Sequence, residues 1–214
     1  MGATYNHRKK YFCKKKFTMD SICVFCGSSV GRDVIYAEKA RNLGKVLAKK
    51  DITLVFGGGN IGVMREIADS VMQAGGKVIG VMPRHIVDKE IAHQNITKLH
   101  IVGSMHERKA LMAEISDAFI ALPGGFGTLD EIFEVMTWNQ LELINKPTAL
   151  LNVNGYFDHL LKFIGHAVDE RFVRKEHQQN LIVEEDEVKL IERLENFKPV
   201  KADKWIDRLK MDLI

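Results

Sequence analysis

No apolar run in this 214-residue chain approaches the eighteen or so residues that a membrane-spanning helix needs, so neither a membrane span nor a membrane partner is expected. Cysteine is scarce. The chain has three, and Cys23 and Cys26 form a C-x-x-C inside Ser21-Ile-Cys-Val-Phe-Cys26, which reads as a buried strand. Residues i and i+3 of a strand face opposite sides of a sheet, which argues against a redox pair or a shared metal. With no disulfide framework, an intracellular, cytoplasmic setting is the default. A usable excess of positive charge is also missing. The 31 basic residues outnumber the 28 acids, but Arg8, Lys9, Lys10, Lys14, Lys15 and Lys16 precede Met19, and without these six the balance is 25 against 28. A body at −3 gives no case for binding nucleic acid.

Several signatures are absent too. No G-x-x-x-x-G-K-[ST] occurs, which leaves Walker-type ATP hydrolysis unsupported, and no G-x-G-x-x-G follows the first strand as a dinucleotide fingerprint requires. His100 and His106 lack metal-ligand spacing and read as surface residues, so no metal is expected. Internal repeats and linkers are lacking. Residues 1–18 carry no acid and no hydrophobic periodicity, and are read as a disordered basic tail before a single domain over 19–214. Gly2 does not make a myristoylation motif, because Asn6 stands where Ser or Thr is needed.

What the chain does have is clustered glycine. Pro123-Gly-Gly-Phe-Gly-Thr-Leu-Asp-Glu131 lies between an apolar run, Ala118 to Leu122, and a helical one, Ile132 to Leu143. Gly124, Gly125 and Gly127 remove Cβ atoms that would keep a ligand from the backbone. A helix expected to begin at about Thr128 aims free N–H groups and the positive end of its dipole into the same space. The pattern suits a phosphate, with Glu131 one turn in and close to whatever carries it. Thr128-x-x-Glu131 is also a capping box, in which the glutamate bonds back to the cap residue and does no chemistry. Capping alone does not call for the glycines.

From Met19 onward, short apolar runs alternate with helical patterns. Strands are expected at Ile22 to Cys26, Ile52 to Phe56, Val78 to Val81, Leu99 to Val102, Phe119 to Leu122, Thr148 to Val153 and Leu181 to Val183. Helical spacing fills most of the intervals, and Arg84 to Asn95 reads as irregular. This alternation predicts an α/β fold: a doubly wound, Rossmann-like parallel sheet with helices on both faces. Ligands of such sheets bind at the carboxyl ends of the strands. Three glycine-rich loops collect there: 27–33, 57–62 and 123–128.

A second stretch places a charge where an apolar residue is expected. Arg108, Leu111, Met112 and Ile115 share one helical face, which puts Arg108 on the core-facing stripe. A charge there is costly unless it is paired or reaches a ligand, the alternative being that it snorkels to water. Lys109, beside it, is either solvated or meets the phosphate.

Met105-x-x-Arg108-Lys109, Pro123 to Glu131, Gly57-Gly-Gly-x-x-Gly62, Cys26-Gly-Ser-Ser29 and Leu151-Asn-Val-Asn-Gly-Tyr156 together resemble the LOG family, from about Met19 to about Glu195. These are cytokinin riboside 5′-monophosphate phosphoribohydrolases, long labelled lysine decarboxylases; no motif here points to pyridoxal phosphate. The resemblance implies hydrolysis of the N-glycosidic bond of N6-modified adenosine monophosphates, and often of AMP, to free base and ribose 5-phosphate, with no cofactor. It implies phosphate binding by Gly124, Gly125, Gly127 and Thr128, and catalysis by Arg108 and Glu131. Glu90, Lys109, Phe126, Leu129, Asp130 and Thr137 would be further substrate contacts, and subunits would pair as a homodimer through helices near the site. Two positions depart from the pattern of the resemblance: Arg65, where relatives usually have glycine, and Phe126, where they often have tyrosine. A general AMP nucleosidase and a non-catalytic nucleotide or cofactor carrier remain alternatives. Glu131 together with Arg108 favours an enzyme, since a carrier needs the cradle but no carboxylate at the ribose.

Overall fold

A computed structural model describes residues 19–87 and 92–201. The basic tail therefore lies outside the described residues. Seven strands form one parallel sheet: β1 (Ser21–Phe25), β2 (Thr53–Phe56), β3 (Val78–Pro83), β4 (Lys98–Val102), β5 (Ala118–Ala121), β6 (Thr148–Leu151) and β7 (Leu181–Glu184). Their order across the sheet is β4-β3-β2-β1-β5-β6-β7. The chain builds outward from β1 in one direction as far as β4, then returns to lay β5 on the other side of β1. That reversal leaves a crevice at the carboxyl ends of β1 and β5, the place where open α/β sheets bind ligands. Phe25 pairs with Ala121 at that end, so the loops after the two strands leave the sheet level with each other.

The period of two along each strand feeds two cores. Ile22 and Val24 turn to one face, where they join Leu54, Phe56 and Ile120 under α1 (Ile35–Lys49), α2 (Gly62–Gln73) and α8 (Glu187–Glu195). Cys23 and Phe25 turn to the other, with Val55, Phe119 and Leu150 under α4 (Met105–Glu114), α5 (Phe126–Gln140) and α6 (Asp158–Asp169). The two cysteines thus belong to opposite cores, Cys23 to the second and Cys26 at the edge of the first, as the strand spacing requires. The amino end of the sheet is stapled by Asp117. Its carboxylate accepts from the Asp20 and Ser21 backbone N–H groups and from the Ser21 hydroxyl, tying the start of β1 to the start of β5.

The structure departs from the sequence pattern in several places. α5 begins at Phe126, two residues before the expected start at Thr128, and ends at Gln140, where Leu141 is the cap and Glu142 takes φ 58°. β6 stops at Leu151 because Asn152 accepts from the Phe157 N–H and donates to Asp158, bending Val153–Gly155 into a 3-10 turn with Asn154 at φ 50°. Two short helices, α3 (Arg84–Val87) and α7 (Lys175–Gln179), carry too few residues for their periodicity to be read.

Phe119 lies on β5 directly beneath the central loop, fully buried and stacked on Phe25 with ring centroids 6.0 Å apart. Phe119→Ala is expected to cost about 4 kcal/mol through lost burial plus the cavity left behind, and Phe119→Leu roughly 1 kcal/mol. Urea denaturation followed by circular dichroism measures both.

Candidate functional site

Three loops meet at their glycines. The Gly27 N–H donates to the Pro123 carbonyl at 3.2 Å, and the Met64 N–H at the head of α2 donates to the Gly27 carbonyl at 3.4 Å. A Cβ on Gly124 would land on the Thr128 hydroxyl and lie 2.8 Å from the Gly27 nitrogen, and one on Gly62, whose φ is 58°, would strike the Ser28 carbonyl. Between the loops runs a crevice of about 290 Å³, walled by residues 27–31, Tyr36, Val63, residues 123–125 and Tyr156. The Tyr156 hydroxyl donates to the Gly124 carbonyl at 2.7 Å and so holds the loop from the far side. Sequence reasoning noted Tyr156 within a motif but gave it no role at the cradle; nothing along the chain announces a contact 32 residues away.

The helix N-terminus behind this crevice is open. Gly125 is the N-cap of α5, no side chain caps it, and added Cβ atoms at Gly125 or Gly127 would meet nothing within 4 Å. Among the described residues nothing in the packing demands these two glycines, and no side chain caps the N-terminus of this fifteen-residue helix. Such a site suits an anion. A side-chain cap does form in this protein, but elsewhere: Ser104 accepts from the Glu107 N–H at the start of α4, and the Glu107 carboxylate accepts from the N–H of Gly103, just ahead of the cap. Thr128 sits inside the first turn of α5, and Glu131 is thereby released from a capping role.

Glu131 instead faces Arg108. The guanidinium Nη2 donates to Glu131 Oε1 at 3.1 Å, with both side chains nearly enclosed, at 14% and 10% exposure. Arg108 is paired, as its place on the apolar stripe of α4 requires. Gly57 makes room for it, because a Cβ there would land on the guanidinium. The Arg108 Nε is buried with no hydrogen-bond partner among the described residues. Burial pushes the Glu131 carboxyl above the ordinary glutamate value; the Arg108 charge pulls it back, while Asp130 adds to the rise. Cys26 lies close by, and burial followed by the Glu131 charge drives its thiol far up, so it stays a neutral thiol and no nucleophile.

The other predicted residues scatter. Lys109 is held between Asp130 Oδ2 at 3.2 Å and Glu134 Oε2 at 3.1 Å, so within this chain it bridges α4 to α5. Burial works to lower its pKa, but the bonds to Glu134 and Asp130 outweigh that and raise it. Leu129 is half-buried. Phe126 projects into solvent, 93% exposed. Thr137 is exposed on α5 and donates to the Phe133 carbonyl, so it is not brought to the Arg108–Glu131 pair. Glu90 lies outside the described residues. Arg65 is half-exposed with Nη2 3.5 Å from Glu66, which is itself paired to Arg41 on α1; it lies along the surface. A larger depression of about 420 Å³ is lined by Glu184, Glu185, Asp186, Lys189, Asn152 and Val183. Three acids make it a poor place for an anion.

The two kinds of glycine separate in their consequences. Gly124→Ala is expected to lower stability by about 1–3 kcal/mol through the collision with Thr128 and Gly27. Gly127→Ala, in open space inside a helix, should raise it by roughly 0.5–1 kcal/mol. Thermal unfolding of both variants checks the pair.

Comparison with known proteins identifies the family. The family described as "Possible lysine decarboxylase" matches residues 64–194. A probable cytokinin riboside 5′-monophosphate phosphoribohydrolase of rice, Oryza sativa subsp. japonica, is 47% identical over 84% of this chain and 79% of its own length. A cytokinin riboside 5′-monophosphate phosphoribohydrolase of Arabidopsis thaliana is 45% identical over 84% of this chain and 78% of its own. Among solved structures, the molybdenum cofactor carrier protein of Chlamydomonas reinhardtii superposes with a TM-score of 0.63 at 21% identity, covering 84% of this chain and 98% of that one, a likeness of fold. With the family match covering residues 64–194, more than half of the chain, and relatives this similar over most of their length, the chain belongs to the LOG family of phosphoribohydrolases, the family whose model carries the lysine decarboxylase label.

Proposed function

We propose that the protein hydrolyses the N-glycosidic bond of adenosine 5′-monophosphates, N6-modified ones included, releasing the free base and ribose 5-phosphate. One observation carries the reading: a buried carboxylate and a buried guanidinium stand 3.1 Å apart beside an uncapped, glycine-walled helix N-terminus. The 5′-phosphate is received by the backbone N–H groups at Gly125, Phe126 and Gly127, with Gly124 and Thr128 packed together to shape the turn. Anchoring this remote group supplies the binding energy that orients the sugar.

Cleavage adds water across the bond between the ribose C1′ and the base N9, the hydroxyl going to carbon and the proton to the base. Positive charge develops on the sugar ring as the bond stretches. Glu131, ionised, stabilises that charge and orients the attacking water, as carboxylates do in glycoside hydrolysis. Arg108 offsets the electron density arriving on the departing base, and its unpartnered Nε is a donor available to the substrate. A carrier needs the cradle but not this pair, which weighs against carriage as the role of the site. A general AMP nucleosidase would use the same machinery and differ in base preference.

The same reading takes the protein as a homodimer, and the exposed face of α5 supports it. Phe126, Phe133 and Thr137 recur along one stripe at spacings of seven and four, and Phe126 is almost wholly bare. A second copy laid on this stripe would cover the aromatics and bring Phe126 and Thr137 to an intersubunit site. Light scattering coupled to size exclusion is expected to give twice the chain mass, and Phe133→Glu about one chain mass.

Release of base from AMP and N6-isopentenyl-AMP but not from adenosine is the expected outcome of a discontinuous assay, since adenosine offers the cradle no phosphate. Glu131→Gln should lower kcat by at least about a thousandfold, the scale of lost transition-state electrostatics, while AMP binding by calorimetry survives. Unchanged turnover in that variant overturns the assignment. For pH, Glu131 must be charged to act and its pKa is raised, so the acid limb of kcat/KM should fall above the ordinary glutamate range. The stability sign is opposite. Because the folded state holds this proton more tightly than the unfolded chain, the Glu131 contribution to stability declines as pH rises from the unfolded to the folded pKa, a slope that Glu131→Gln removes.

A further inference from the structure

His93 lies on no catalytic motif, yet its imidazole is buried, 3% exposed, and fully bonded. The Asn95 backbone N–H approaches its Nδ1 at 3.3 Å; an N–H can only donate, so Nδ1 is the acceptor and the ring proton sits on Nε2. Nε2 then donates to Asp69 Oδ1, 3.0 Å away on α2. The backbone of the same residue faces the site. The His93 N–H donates to the Gly58 carbonyl at 2.9 Å, and the neighbouring Ala92 pairs with Gly59 in an isolated antiparallel bridge.

These bonds matter because of what the 57–59 loop touches. Gly57 presses its bare α-carbon against the Arg108 guanidinium, so that no Cβ fits between them. Gly58 rests on Gly80 of β3, which leaves the loop no room to retreat inward, and takes φ 82°. Outward, the described residues that hold it are those pinned by His93. A loop carrying three consecutive glycines is otherwise free to drift, since glycine imposes little conformational preference of its own. The guanidinium it walls must keep its place to within a fraction of an ångström to act on a leaving group.

We propose that His93 and Asp69 are a positioning pair for the catalytic site: by clamping residues 92–95 between α2 and the Gly57–Gly59 loop, they hold the wall against which Arg108 is set. Asp69 needs only to accept a hydrogen bond, and its charge is not used. The proposal rests on the hydrolase reading for its kinetic consequence, but not for its structural one.

The test uses the full chain with Asp69→Ala and Asp69→Asn, each made alone and in an Arg108→Lys background, with AMP as substrate. Asp69→Ala removes the acceptor and should lower kcat about tenfold with KM within about twofold, the scale of one buried hydrogen bond acting through a transition-state contact. Asp69→Asn keeps an acceptor and should retain wild-type turnover. If the pair acts through Arg108, Asp69→Ala costs less than about twofold more once Arg108 is already lysine, whereas a loss of folded protein would lower both backgrounds alike. Hydrogen exchange read by mass spectrometry is the second measurement, and it needs no activity. Peptides covering 57–62 and 92–95 should exchange faster in Asp69→Ala and at the wild-type rate in Asp69→Asn. Wild-type kinetics and exchange in Asp69→Ala, equal damage from Asp69→Asn, or full additivity with Arg108→Lys each overturn the proposal. A wild-type protein that releases no base, with the exchange result intact, overturns the hydrolase reading and leaves the clamp standing.

Discussion

The ion pair between Arg108 and Glu131 is the constraint around which the rest of the protein is arranged. Two charges taken almost wholly out of water carry a desolvation cost that their attraction only partly offsets, and such pairs are weak sources of stability. This one persists because several elements converge to hold it. α4 delivers the arginine from the apolar side of its helix, α5 delivers the glutamate one turn past the cradle, and the loop after β2 gives up a side chain at Gly57 to admit the guanidinium. Among the described residues the buried Nε has no partner, so the pair leaves one donor of the guanidinium unused.

Electrostatics and backbone geometry divide the labour at this site. The open end of α5 offers peptide N–H groups and a helix dipole, with no lysine or arginine among the described residues that wall the crevice. Lys109, which looked free to meet a phosphate, is occupied by Asp130 and Glu134 and serves to tie the two helices that carry the pair. A backbone cradle adds no mobile cation beside the carboxylate, whose pKa is raised by its burial and pulled back by Arg108. The neighbouring thiol of Cys26 stays protonated in the same field and does not compete with the carboxylate for Arg108.

Sheet topology supplies the setting. Placing β5 against β1 after the chain has run out to β4 opens the crevice between two loops that are 96 residues apart along the chain, as Gly27 and Pro123 are, and still joined by a backbone hydrogen bond. The face opposite the sheet is left bare on α5, with Phe126 in full view beside the cradle. An aromatic in that position is costly to leave in water, which is the ground for the proposed pairing of two copies.

Much of this was written along the chain. The seven strands, their order of appearance, the alternation that sends Cys23 and Cys26 to opposite cores, and the glycine clusters at strand ends are all local or periodic properties, and local properties can be read from neighbours in sequence. The anomalous charge at position 108 also announced itself, since a 3.6-residue period fixes which face a residue occupies. Other features depend on contacts between distant segments and were settled only by the tertiary structure. Whether Glu131 capped its own helix or faced Arg108 turned on a two-residue shift in where α5 begins, and the open space around Gly125 rather than any property of Thr128 decided it. Lys109 finding Asp130 and Glu134, Thr137 turning outward, Tyr156 reaching Gly124 and His93 reaching Asp69 share the same physical origin: each is a polar side chain whose partner is chosen by packing across the sheet or between helices, and no spacing along the chain records that choice.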